Sequence, residues 1–340
     1  MAKVVTFGEI MLRLQPPEYK RFLQATSFDV VYGGGEANVA ISLAQYGDEV
    51  AYVTKLPDNP IGQACLNEIR KWGVNTAFIA RGGARLGIYF CEKGASQRPS
   101  NVVYDRAGSS IATSTVADFD WDKIFEGVDW FHFTGITPAL GDNVAESVLA
   151  ACKAAKARGI RISCDLNYRK KLWTKEKAGQ VMGNLMQYVD LLIANEEDCS
   201  DVFGIKASGT DIETGKLSTD GYKDVCRQIE ERFGIKTVAI TLRESISASQ
   251  NGWSGMLCSD GEFYFSDRYM ITIVDRVGGG DSFGAGLIHS LANGKDPQYA
   301  ISFAVAASCL KHTVEGDYNV ASEKEVLNLV KGGGSGRVQR

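Results

Sequence analysis

From about residue 130 onward the chain alternates short β-branched or aromatic runs with longer stretches of helical period, a pattern that few folds can satisfy. Residues 130–133, 160–164, 191–194 and 237–241 read as buried strands, and 143–158, 175–186, 196–203 and 221–233 as the helices between them. Asp142, Asn143 and the run Ser218-Thr219-Asp220 offer N-cap oxygens, while Gly159, Gly204 and Gly234 stand where a left-handed C-cap is wanted. The expectation is an α/β body with a mostly parallel sheet between two layers of helices. Upstream, 4–7 and 49–53 look like further core strands flanking a helix over 36–46. Residues 9–29 and 86–105 instead alternate polar and apolar side chains, as half-exposed strands do. They predict a small antiparallel sheet, discontinuous in sequence and drawn from about 9–32 and 85–108, that covers a site. One domain over 1–331 is expected, followed by a flexible tail over 332–340 that begins Gly332-Gly333-Gly334-Ser335-Gly336.

A chain of 340 residues can bury a sizeable core. Its 37 basic against 41 acidic side chains give a net charge of -4, which excludes a global basic field for nucleic acid or an anionic membrane. Any anionic ligand must be met by local arginines. Apolar runs such as 301–310 fall short of the ~18 residues a membrane span needs. Met1-Ala2-Lys3 passes straight into strand-like sequence with no leader pattern, so a cytoplasmic protein is expected. The eight cysteines show no C-x-x-C spacing, and neither structural zinc nor a disulfide framework is expected.

Glycine is over-represented: 37 residues, where average usage of about 7% would give roughly 24. The excess is clustered. Gly278-Gly279-Gly280 joins a β-like run over 270–274 to a helix beginning near Asp281. Glycine amides at a helix N-terminus make an anion hole, because no Cβ blocks close approach and the dipole favours negative charge. Asp281 alone could be an N-cap. A carboxylate at an anion site repels the ligand, however, unless it acts on an attacking hydroxyl. No Gly-Lys-Ser/Thr follows the glycines, and the motif lies too late in the chain for a dinucleotide fingerprint.

Asp275-x-x-Gly278-x-Gly280-Asp281 and Gly33-Gly34-Gly35-Glu36-Ala37-Asn38-Val39-Ala40 resemble, in the right order, the two signatures of the PfkB (ribokinase-like) carbohydrate kinases. The resemblance covers nearly the whole chain. It implies a ribokinase-like three-layer α/β/α body with a β lid, ATP with Mg2+ as phosphate donor, Asp281 as catalytic base and the amides of Gly278, Gly279 and Gly280 as anion hole. An exposed lid sheet has edges and an apolar face that a partner could cover, so a homo-oligomer, a dimer through the lid or larger, is expected. The Gly33 to Gly35 run is expected to let substrate approach the backbone.

Within that family the runs Gly8-Glu9-Ile10-Met11-Leu12-Arg13, Tyr104-Asp105-Arg106-Ala107 and the stretch from Asp165 to Trp173 resemble kinases of 2-keto-3-deoxygluconate. The resemblance implies that Gly34, Tyr89, Tyr104, Arg106 and Arg169 line a keto-acid pocket, with an arginine fork neutralising the carboxylate. Arg106 as a solvated charge and the tyrosines as lid packing are the bland alternatives. Asn195-Glu196-Glu197-Asp198 is similar to the family's N-x-x-E element, so Asn195 is implied at ATP and Asp198 near Mg2+; an acidic first helical turn would read the same. Thr241-Leu242-Arg243-Glu244-Ser245-Ile246-Ser247 stands where the family carries a T-x-G-x-x-G nucleotide loop but lacks both glycines. Thr241 and Arg243 remain as phosphate contacts. Cys309 and Gly316 are implied at the adenine, and Asp275 at a monovalent-cation site, with K+ the candidate ion. A kinase for fructose or a related ketohexonate, and a catalytically silent sugar or nucleotide sensor, are the competing readings.

Overall fold

The computed structural model describes residues 1–195, 197–206 and 219–333; Glu196, Ser218 and the tail from 334 lie outside the described residues. Six parallel strands form the centre of the main sheet: β1 (Lys3–Phe7), β4 (Glu49–Val53), β9 (Trp130–Thr134), β10 (Arg161–Asp165), β11 (Leu191–Ala194) and β12 (Thr237–Ser245). Their spatial order is β4-β1-β9-β10-β11-β12. Beyond β12 the sheet turns antiparallel through β13 (Gln250–Ser259), which carries β14 (Glu262–Phe265) at one end and β15 (Tyr269–Thr272) at the other.

Because side chains alternate along a strand, the continuous apolar runs feed two cores. Val5, Phe131, Leu192 and Val238 face one, packed against α4 (Asp142–Ala157), α5 (Lys175–Met186), α6 (Asp198–Phe203) and α7 (Thr219–Phe233). Val4, Trp130, Leu191 and Ala239 face the other, under α1 (Gly35–Gln45), α2 (Pro60–Lys71), α8 (Gly279–Ala292), α9 (Pro297–Lys311) and α10 (Glu323–Val330). The short α3 (Trp121–Ile124) adds its tryptophan to the first core. This is the three-layer α/β/α body. Gly159, Gly204 and Gly234 take φ of 70°, 72° and 73°, the left-handed stops their positions anticipated. The capping expectation at Asp142 and Asn143 is corrected: Gly141 is the N-cap, and Asn143 Nδ2 donates to the carbonyls of Ala112 and Ser114.

The lid is a four-stranded sheet in the order β3 (Asp29–Gly33), β2 (Met11–Gln15), β7 (Gly87–Glu92), β8 (Asn101–Asp105). It lies within the expected segments, but it is mixed, since β2 and β7 run parallel. A parallel pair needs a long crossover, and the chain supplies it with α1, β4, α2 and the two-stranded pairing of β5 (Lys55–Leu56) with β6 (Ala80–Arg81).

Candidate active site

Helix α8 begins at Gly279, earlier than the sequence suggested, so Asp281 sits inside its first turn and Gly278 is the N-cap. Gly278 holds φ 84°, a conformation glycine adopts without strain. The Gly279 N–H reaches the Arg276 carbonyl at 3.4 Å and the Ser282 N–H that of Gly278 at 2.9 Å. The N–H groups of Gly280 and Asp281 meet no protein acceptor among the described residues. A Cβ on Gly279 would lie 2.4 Å from the His312 ring, and one on Gly278 2.0 Å from the Asp317 carbonyl, whereas one on Gly280 would meet nothing within 4 Å. The turn is braced from behind and open at Gly280, the geometry of an anion hole.

This turn borders a cavity of about 400 Å³ at the C-terminal ends of the parallel strands, where open α/β sheets bind ligands. The cavity brings together Gly34, Tyr89, Tyr104, Arg106, Arg169, Asn195, Asp198, Thr241, Arg243, the three glycines and Asp281. Cys309, Gly316 and Asp275 stand outside its lining. A wider cleft of about 1190 Å³ between lid and body shares Val102, Tyr104, Arg106 and Arg169 with it.

Asp281 Oδ2 accepts a 2.6 Å hydrogen bond from Asn38 Nδ2 on α1. Burial lifts its carboxyl to about 6, while Asn38 and the charges of Arg169 and Lys311 pull the other way. Two further carboxylates share this end. Asp165, at the close of β10, is driven well upward by burial and by its neighbours Asp198 and Asp281. Asp198 is also raised by burial, and its oxygens accept from the main-chain N–H groups of Tyr168 and Asn195 at 3.2 Å. Asp165 and Asn38 were not identified from the sequence, although an acid ending a buried strand is a usable signal. Among the described residues no three acidic, His or Cys side chains form a metal cage. The cluster fits Mg2+ that keeps its waters and phosphate ligands and meets these carboxylates as an excess of negative charge.

At the substrate end the lid supplies the walls. Arg106 donates to Glu9 through Nε at 2.8 Å and again through its Nη2, and Ser109 Oγ holds the other Glu9 oxygen at 2.6 Å. Arg106 is therefore oriented and largely neutralised by the acid that follows β1. Arg169, by contrast, makes one hydrogen bond among the described residues, to the Tyr168 carbonyl at 3.1 Å. Tyr89 is buried, donates its hydroxyl to Asp317 Oδ2 at 2.6 Å and packs 6.0 Å from Tyr104, so its phenol braces the wall. Arg13 lies away from the cavity, fully buried, bridging Asp275 at 2.6 Å and Asp317 at 2.7 Å. Gly33, Gly34 and Gly35 line the cavity, and Cβ atoms at Gly33 and Gly34 would also strike Asp317 and the Glu9 carbonyl, each at 1.9 Å. Protein packing demands those glycines.

On the opposite side, residues 241–245 are strand, not loop: Thr241 pairs with Gly255 and Arg243 with Trp253. Cavity access comes from Thr241, Arg243 and Arg276, a residue the sequence reading passed over. Arg276 is half-buried, held by the Ala248 carbonyl at 3.2 Å, and its guanidinium is pulled down by burial and the nearby charge of Arg243. Two guanidiniums beside two open amides suit a polyphosphate. Asp275, the residue expected at a cation site, is already engaged by protein donors. One oxygen accepts from Arg13 and from the Gly316 N–H at 3.2 Å, the other from the Val277 N–H at 3.1 Å.

The pfkB family carbohydrate kinase pattern matches residues 1–324. A 2-dehydro-3-deoxygalactonokinase from Haloferax volcanii is 32% identical over 335 residues, covering 98% of each chain. The 2-dehydro-3-deoxygluconokinase of Thermoproteus tenax is 27% identical across 97% of this chain and 95% of its own. The crystal structure of 2-dehydro-3-deoxygluconokinase from Thermotoga maritima superposes with a TM-score of 0.93 at 54% identity, covering 97% of this chain and 98% of that one. With its layered body, lid and glycine-capped helix, the chain belongs to the pfkB family of carbohydrate kinases.

Proposed function

We propose that this kinase transfers the γ-phosphoryl group of ATP to the terminal primary hydroxyl of 2-keto-3-deoxygluconate, giving 2-keto-3-deoxy-6-phosphogluconate. The observation that carries the reading is the placement of Asp281 and the open Gly280 amide on one helical turn, in one cavity with Arg169. Asp281 aligns the hydroxyl for in-line attack and accepts its proton as the new O–P bond forms. Its carboxyl, lifted to about 6, is a better base than an ordinary aspartate yet ionised at neutral pH. The open amides of Gly280 and Asp281, rather than those of Gly278 to Gly280 together, take up the charge developing on the transferred group, since the Gly279 N–H already meets the Arg276 carbonyl, with Arg243 and Arg276 along the rest of the triphosphate. Mg2+, bound with ATP near Asp165 and Asp198, would screen the phosphate oxygens.

Arg169 pairs with the substrate carboxylate and Arg106, steadied by Glu9, donates beside it. Tyr104 covers the chain of the sugar acid. The lid presents exposed Val30 and Val103, the face through which a homodimer would form, and a cytoplasmic setting suits a kinase that draws on ATP. The Haloferax volcanii relative supports a second reading, in which 2-keto-3-deoxygalactonate is the acceptor. A coupled assay for ADP release over both epimers, fructose and gluconate tests the proposal. Turnover confined to the 3-deoxy keto acids is expected; faster turnover of fructose would overturn it.

A further inference from the structure

Lys311, in the last turn of α9, is fully buried. A buried ammonium ordinarily pairs with a carboxylate. Lys311 Nζ donates instead to two main-chain carbonyls, those of Asp275 and Val314, each at 3.2 Å. Asp275 opens the segment that ends in the anion hole, and Val314 lies in the segment that leads to Asp317. Lys311 Cε is 3.2 Å from where a Cβ on Gly278 would stand, so the side chain packs directly against the N-cap of α8.

Main-chain carbonyls around a dehydrated unit charge are the surroundings that a potassium or ammonium ion takes. Local charge is consistent with a protonated lysine: Arg13 and Lys311 bring two positive charges to buried Asp275 and Asp317, and the Asp281 carboxylate adds a further negative charge that favours the ammonium. The Asp275 carboxylate already accepts from Arg13 and from the N–H groups of Gly316 and Val277, and the Asp275 carbonyl from Lys311, so an added cation would have to compete with these donors.

We propose that Lys311 is a tethered monovalent cation, which holds the anion-hole segment in its phosphate-binding form and makes the enzyme independent of added potassium. The inference rests on Gly278 to Gly280 being the phosphate site of a kinase. Wild-type activity should agree within about twofold in choline, sodium and potassium chloride. Lys311→Ala should lose at least ~10-fold in choline, as an anion hole with a displaced donor does, and regain several-fold with potassium or methylammonium in the vacated space. Potassium should also raise its melting temperature relative to choline and leave that of wild type unchanged. Lys311→Met, which fills the space with an apolar chain, should stay slow in every salt.

Tenfold stimulation of wild type by potassium would overturn the proposal, as would a Lys311→Ala enzyme with wild-type rate and melting temperature in choline. Should no sugar acid be turned over by wild type in any salt, the proposed reaction has failed, and the melting temperatures decide this inference alone. If Lys311→Ala folds in no salt, Lys311→Arg decides: a potassium-insensitive enzyme supports the tethered cation and a potassium-dependent one refutes it.

Discussion

Asn38 and Asp281, 243 residues apart in the chain, are joined by a 2.6 Å hydrogen bond that links the first crossover helix to the anion-hole helix. Asn38 holds the carboxylate and favours its ionised form. The base must be deprotonated to act, so the rate should fall as pH drops through about 6. Asn38→Leu removes a contact that lowers the Asp281 carboxyl, and the acid limb of the kcat/KM profile should move to higher pH. Asp281→Asn should cut turnover by a factor of about 100 or more while ATP binding persists.

The same residue predicts a stability effect of defined sign. A carboxyl raised from 3.8 to about 6 in the folded protein binds protons more tightly there than in the unfolded chain. Its contribution therefore diminishes as pH rises from near 4 to near 6 and stays diminished above. Asp281→Asn should melt higher than wild type at pH 7.5, with the difference shrinking at pH 4. An equal or lower melting temperature at pH 7.5 would contradict the burial argument.

Adjacent glycines should respond oppositely to the same substitution. Gly280→Ala adds a methyl in open space within a helix, so the melting temperature should hold or rise, while turnover drops ~100-fold because the phosphate approach is filled. Gly279→Ala drives a methyl into the His312 ring and should destabilise the fold by about 1–3 kcal/mol, read by urea denaturation.

The two arginines proposed to meet the sugar acid are not equivalent. Arg169→Ala should raise the KM for 2-keto-3-deoxygluconate about 10- to 100-fold and leave that for ATP unchanged, as expected for losing charge-assisted hydrogen bonds. Arg106→Ala should have a smaller effect, because Glu9 already offsets its charge, and it should also loosen the lid through the freed Glu9.

On the donor side, Arg276→Met should weaken ATP by about tenfold or more and leave AMP binding unaltered, measured by isothermal titration calorimetry. Equal losses for both nucleotides would assign Arg276 to the nucleoside.

The body of the fold was legible because parallel strands buried on both faces are written as continuous apolar runs, such as Leu191–Ala194, with glycine stops between them. The glycine turn and Asp281 were legible as a candidate site because they are consecutive residues on one helical turn. What escaped was pairing at a distance. Glu9 with Arg106, Asp317 with Tyr89, and Arg13 between two acids are contacts across 97, 228 and more residues, and no local pattern encodes them. The Gly33 to Gly35 run was read as room for a substrate, and it does line the cavity, but no local pattern shows that Asp317 and the Glu9 backbone also press on Gly33 and Gly34. Cys309 and Gly316 were carried over by position in the chain. Cys309 packs with core residues instead, and Gly316 donates its amide to Asp275.

The Arg13 bridge spans 304 residues to Asp317 and 262 to Asp275. A ribosome must therefore release nearly the whole chain before the lid can be fastened to the phosphate-binding segment. Nascent fragments carry the lid strands but neither acid that secures them, and closure belongs to the last steps of folding.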